Sequence, residues 1–392
     1  MSEAMGAGSG VRPGRRRTLQ FGGIGMLAVG GLGGCGIWPW SSSEPKLPEL
    51  PAASGAARMR TAWSTSMGGG GTGFQPVLVG DTIFAAGRRG SVAAIDAPSG
   101  RVLWRADLDK PLIAGAGSDG EVTVVATRDG QLIALDDGGS QKWSVPVGAE
   151  VVTVPSVGLG MVLVRGSDNR VSAFEVASGK RRWTFDRQPP ALVLRQTASI
   201  AMDPSTAYVG LPGGRLVALA LQTGALRWEV AVGMPRGSNE IERIADVVGS
   251  PLISGGEVCA AAWRGRIACF DSATGRAIWG RELEAAAGID IGPRQVGAGE
   301  AGGDIQAFSR SGASLWRQDA LRRREPSAPL LAAGEVVIGD ALGLLHVLSG
   351  DDGSLAARQS TDGTPIVAAP VGWGNLAIVQ TTGGALQAVA VE

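Results

Sequence analysis

Histidine occurs once in this chain of 392 residues, at His346, tyrosine once, at Tyr208, and cysteine three times, at Cys35, Cys259 and Cys269. A single histidine makes a histidine-built metal centre nearly impossible, and no nucleophile–histidine pair stands out in the sequence. Three cysteines are too few for a disulfide framework. Lysine plus arginine and aspartate plus glutamate balance at 36 each, and the body of the chain has no run of like charge, so nucleic-acid binding lacks an electrostatic basis. Glycine-rich stretches such as Gly68–Gly71 lack a following helix, which makes them turns and not phosphate cradles. What is abundant is apolar residue, 44%, and glycine, 62 positions. That combination suits a large all-β core with many tight turns and closely approaching strands.

The first residues read as an address. Arg12, Arg15, Arg16 and Arg17 precede an uncharged, glycine-rich apolar stretch from Leu19 to Leu32, too short and weak for a membrane helix. It ends in Leu32-Gly33-Gly34-Cys35, which resembles a bacterial lipobox. The small side chains suit the peptidase, and the Cys35 thiol is the expected lipidation site. The expected segments are a signal peptide over 1–34, a lipidated flexible tether over 35–58 and a folded body over 59–392. Ser, Pro and Ala dominate the tether and cannot pack a core. Arg16-Arg17-Thr18-Leu19-Gln20-Phe21 has only a faint twin-arginine outline, so Sec export is expected. Gly36, not Asp, follows the cysteine; by likeness to the enterobacterial sorting rule this directs the lipoprotein to the outer membrane, facing the periplasm.

A repeat sets the fold: an apolar strand, a turn, Gly-x-apolar-x-Ala-apolar-Asp, a second turn with Gly, then Trp. It runs Gly90–Trp104, Gly130–Trp143, Asn169–Trp183, Gly214–Trp228, Gly265–Trp279 and Gly303–Trp316. Gly343–Ala357 keeps the pattern without the Trp, and Gly384–Glu392 stops before that position. Trp63 stands alone ahead of the first unit at the usual interval. The segment around it is expected to supply the last strand of the blade begun by Ile366–Val391. The fold class is therefore all-β, an eight-bladed β-propeller closed by N- and C-terminal strands in one blade, which removes free sheet edges. The Trp column is expected to pack between blades. Arg294–Glu300, mostly glycine and polar residues, predicts a short, bulged or unpaired strand in the sixth blade. Cys259 and Cys269 lie on two arms of a hairpin turning near Gly265, where a cross-strand disulfide and two buried thiols both remain open.

Ala94-x-Asp96-x-x-x-Gly100-x-x-x-Trp104 resembles the repeat of the pyrroloquinoline-quinone-type propellers. Within that group the chain resembles the BamB family, lipoproteins of the outer-membrane β-barrel assembly machinery. The segments that carry this are Thr61–Ser66, Ala191–Arg195, Glu240–Val247 and Gly292–Gln295. The resemblance implies a non-enzymatic scaffold without a cofactor. Its implied partners are the periplasmic domains of BamA, other lipoproteins of the assembly complex and unfolded outer-membrane proteins. Matching residues here for the BamA contact are Leu192, Leu194, Arg195 and Asp246; where the family has a further acid two positions on, this chain has Val248.

The repeat points independently to the same place. From each Trp to the next unit's opening Gly or Asn takes 26 residues after Trp104 and Trp143, but 31 after Trp183 and 37 after Trp228. Extra loop costs little stability and is where scaffolds display function. Leu192 and Leu194 alternate, so an extended strand would point both the same way, beside Arg195. Two rival functions fit the residues less well. A quinone-dependent oxidoreductase would need calcium ligands and, typically, adjacent cysteines, which this chain lacks. A sugar- or cell-wall-binding propeller would need surface aromatics, and within the folded body only Trp263 and Trp373 fall outside the Trp column.

Overall fold

A computed structural model describes residues 49–194 and 198–392. The signal peptide, Cys35, most of the tether and Arg195 lie outside the described residues. Among the described residues, thirty-two strands form eight antiparallel four-stranded sheets. Seven blades are continuous in sequence; the first comprises Val77–Val79, Thr82–Ala86, Ser91–Asp96 and Val102–Asp107, from the innermost strand outward. The eighth comprises Val371–Trp373, Leu376–Gln380 and Ala385–Val391, with Met59–Ser66 paired outside them. Innermost strands touch in series around the ring, and that of the eighth blade touches that of the first. The ring is closed.

The second and third strands are buried along most of their length and mostly apolar, because blade faces on both sides cover them. Outer strands alternate, with their Trp inward. That Trp forms a joint with the next blade. Its ring lies on the glycine of the turn between the next blade's third and outer strands. A Cβ on Gly100 would stand 2.4 Å from Trp63, and one on Gly275 2.9 Å from Trp228. The same contact joins Trp104 to Gly139, Trp143 to Gly179, Trp183 to Gly224, Trp279 to Gly312 and Trp316 to Gly353. These glycines also have φ near +70 to +84°, so the repeat's second Gly answers a backbone and a packing demand together. In five joints the indole N–H donates to a carbonyl of that same turn: Ala97, Val176, Leu221, Ser272 and Gly350.

The eighth joint explains Ala357. No turn links Val391 to Met59, since these are strands from opposite ends of the chain, so an indole there would have nothing to sit on. The segment before the closing strand fills the position instead. The amides of Ser54 and Gly55 donate to Leu355 and Ala356 at 2.9 and 3.1 Å. Ala57 is buried with Ala357, and Leu50 and Ala53 pack on the cluster that holds Trp316. The polar, proline-rich composition of the tether hid this: its last residues are part of the fold.

Two other expectations change or close. The sixth blade has four full strands, with Ala285–Ile291 pairing Gln295–Glu300 through a register shift. Its glycines are a fit and not a weakness: a Cβ on Gly297 would press Leu331 of the seventh blade at 3.3 Å. Cys259 and Cys269 are direct cross-strand partners, fully buried and joined as a disulfide.

Candidate docking surface

The chain enlarges its ring in two successive connections, from Phe185 to Ala201 and from Ala231 to Val247. Strands alternate direction within each blade, so these connections share one rim with the turns between second and third strands. The two segments meet at Asp246. Its carboxylate is 2% exposed. One oxygen accepts the Leu194 amide at 2.6 Å, and the other accepts the Gly213 amide at 2.9 Å. Its carbonyl accepts the Trp263 amide at 2.8 Å. A single residue therefore ties the first connection to the turns of blades four and five.

Beneath it lies Arg165, 3% exposed, with Nη1 donating to the Gly210 carbonyl at 2.5 Å. Burial lowers its pKa to about 10, and the charge of Asp246 opposes that shift. The guanidinium thus stays cationic at neutral pH and balances the buried carboxylate.

Structure and sequence differ in detail here. Asp246 is not on the surface. Leu192 and Leu194 do not share one strand face, because Ala191–Leu194 is irregular. Leu192 is 41% exposed, whereas Leu194 is half-buried against the core between blades five and six. Val248, where the family pattern has an acid, is buried. Two exposed apolar residues escaped the sequence reading: Met234 and Ile241 in the second connection, 67 and 69% exposed. An isoleucine inside Ser-Asn-Glu-Ile-Glu-Arg was the available signal. It is held at the tip of a self-bonded turn. Glu242 accepts the amide and hydroxyl of Ser238 at 2.8 and 3.1 Å, and its own amide donates to Asn239 at 2.9 Å. Those bonds hold the Glu242 carboxyl below the usual range, the Ser238 amide most of all. Between the connections opens a cleft of about 400 Å³ walled by Pro189, Pro190, Pro212 and Pro235. Arg187 and Arg215 flank Glu229 at its floor, at 2.7 and 3.7 Å.

At the ring axis, a cavity of about 440 Å³ is lined chiefly by glycine, alanine and proline. Its one carboxylate, Asp290, accepts the amides of Leu331 and Ile291 at 2.7 and 2.8 Å. Burial pushes its pKa up. That lining does not supply the donor set of a calcium–quinone site.

The family profile described as "Outer membrane protein assembly factor BamB" matches residues 52–115, 88–296 and 301–392. The chain belongs to the BamB family. The BamB of Bordetella pertussis is 42% identical over 378 residues, covering 96% of this chain and 97% of that one. The BamB of Pseudomonas aeruginosa is 34% identical, covering 90 and 95% of the two chains. Among solved structures, BamB from Moraxella catarrhalis superposes with a TM-score of 0.77 at 27% identity, over 85% of this chain and all of that one. The quinohemoprotein alcohol dehydrogenase of Comamonas testosteroni reaches 0.65 at 16% identity, over 85% of this chain and 76% of that one. The likeness to the dehydrogenase is one of fold alone, whereas the BamB relatives are similar along their whole length.

Proposed function

We propose that this chain is an exported lipoprotein, acylated at Cys35 and held by that lipid on the periplasmic face of the outer membrane. There its ring docks on the periplasmic domains of BamA and serves the β-barrel assembly complex as a scaffold that does no chemistry. Its relatives are outer membrane protein assembly factors, and the chain stands with them and not with the quinone enzymes.

The observation that carries the docking reading is the joining of the two long connections by Asp246, which presents Leu192, Met234 and Ile241 from one rim. Exposed apolar anchors on a backbone held from below are what an interface core requires. Asp246 acts here as a positioning residue, with Leu192 nearer the partner and Leu194 as the hinge between surface and core; Arg195 is kept as a contact residue on the family resemblance alone. The test is co-purification with the periplasmic domains of BamA. Leu192→Asp with Ile241→Asp is expected to weaken binding roughly tenfold or more and to leave thermal unfolding unchanged, because both side chains are exposed. Wild-type binding by that variant would remove the docking surface.

A further inference from the structure

Several arginines around the ring are committed to carboxylates. Arg170 pairs with Asp186, Arg187 and Arg215 with Glu229, Arg236 with Glu282, and Arg317 and Arg322 with Asp304. Two arginines near the axis depart from that pattern. Arg88 and Arg128 stand at corresponding turns of the first and second blades. The chain between them is clamped to both, with the Leu112 amide on the Arg88 carbonyl at 3.0 Å and the Arg128 amide on Pro111 at 3.1 Å. Their side chains line one cleft of about 220 Å³, together with Thr72, Phe74, Ile113 and Val152. No aspartate or glutamate lines it.

The Arg88 guanidinium donates to the Gly70 carbonyl at 3.0 Å and pairs with no acid among the described residues. Arg128 has no side-chain partner there. Its sequence neighbour Asp129 is engaged elsewhere, accepting from the Thr127 hydroxyl and, at 3.3 Å, from the Gln131 amide. Two exposed positive charges thus share a cleft with no counter-charge within ion-pair distance, which favours an anion there.

We propose that the Arg88–Arg128 cleft is a binding site for a phosphate group. One guanidinium suffices for the two oxygens of a carboxylate. Two guanidinium forks with a threonine hydroxyl match the larger oxygen set and the double charge of a phosphate monoester. The site is separate from the docking surface and does not rest on it.

The test is calorimetric titration of the full chain with inorganic phosphate at low ionic strength, with acetate and chloride as comparators. Saturable binding of one phosphate per chain is expected, weakened about tenfold or more in Arg88→Gln with Arg128→Gln. Arg128→Gln alone breaks no bond of the described fold, so it measures the site without threatening the structure, and it too is expected to weaken binding. Glycerol 3-phosphate separates the sources. Tighter binding than inorganic phosphate identifies a phosphorylated lipid headgroup as the ligand, and equal or weaker binding identifies the free ion. Absence of saturable phosphate binding, equal affinity for acetate, or unchanged affinity in the variants would overturn the site.

Discussion

Asp246 shows how far one side chain can organise a surface it does not belong to. Replacing it with alanine strands the amides of Leu194 and Gly213 and removes a negative charge that favours the buried Arg165 cation. Breaking a buried charge arrangement on one side costs about 3 kcal/mol. Asp246→Ala is therefore expected to lower the denaturant midpoint markedly and to weaken BamA binding as well. Leu192→Asp should touch binding alone. A chemical denaturation series on the two variants separates these roles: equal midpoints for Asp246→Ala and wild type would show that the carboxylate is not structural. The sequence placed Asp246 in the right connection. It could not tell inside from outside, because the carboxylate's burial depends on an amide from Gly213 and a cation from Arg165, both distant in the chain. The exposure of Ile241 was closer to legible, since an apolar residue in a polar insertion has no core within reach.

The joint between blades is the element that repeats, and the sequence exposes it well because one period carries both of its halves. Trp and the turn glycine recur in register, so the blade count, the closure through Trp63 and the buried role of the Trp column all follow. What the period cannot show is a joint made by something other than the repeat. At the eighth joint the segment around Ala57 takes the place of the indole, and its composition resembles the tether it continues. The sixth blade misleads for a related reason. Its glycines look like a failing strand until the side chains of the next blade, Leu331 above all, are seen to occupy the space. Two substitutions test the joint. Trp183→Ala is expected to cost about 3–5 kcal/mol, as for a buried aromatic whose site cannot collapse. Ala357→Trp restores the consensus residue, yet it is expected to destabilise by about 1–3 kcal/mol, because the incoming ring meets Ala57 and its neighbours and not a glycine turn. Thermal unfolding of the two variants measures both. A more stable Ala357→Trp protein would mean that the eighth joint is merely an eroded copy of the others.

At the scale of the ring, closure and the proposed docking surface fall on opposite arcs. The long connections flank blade four, while the chain termini meet in blade eight, half a turn away. Among the described residues, the part of the chain nearest Cys35 grips the ring through the contact of Leu50, Ala53 and residues 54–57 with the seventh blade. That segment shields the closing strand Met59–Ser66, which is the one outer strand not continuous with its own blade. Closure by backbone pairing removes the sheet edge, but the eighth blade can open without breaking any chain connection inside it, so it is the natural site of lowest local stability. Leu50→Asp with Ala53→Asp removes the apolar grip and leaves every strand intact. Hydrogen exchange read by mass spectrometry is expected to accelerate in Met59–Ser66 and Ala385–Val391 while Val247–Ser254 of the fifth blade stays protected. BamA binding should persist, since the docking arc lies across the ring. Uniform acceleration around all eight blades would show instead that the ring opens as one unit, and that the segment before Met59 adds bulk without guarding the seam.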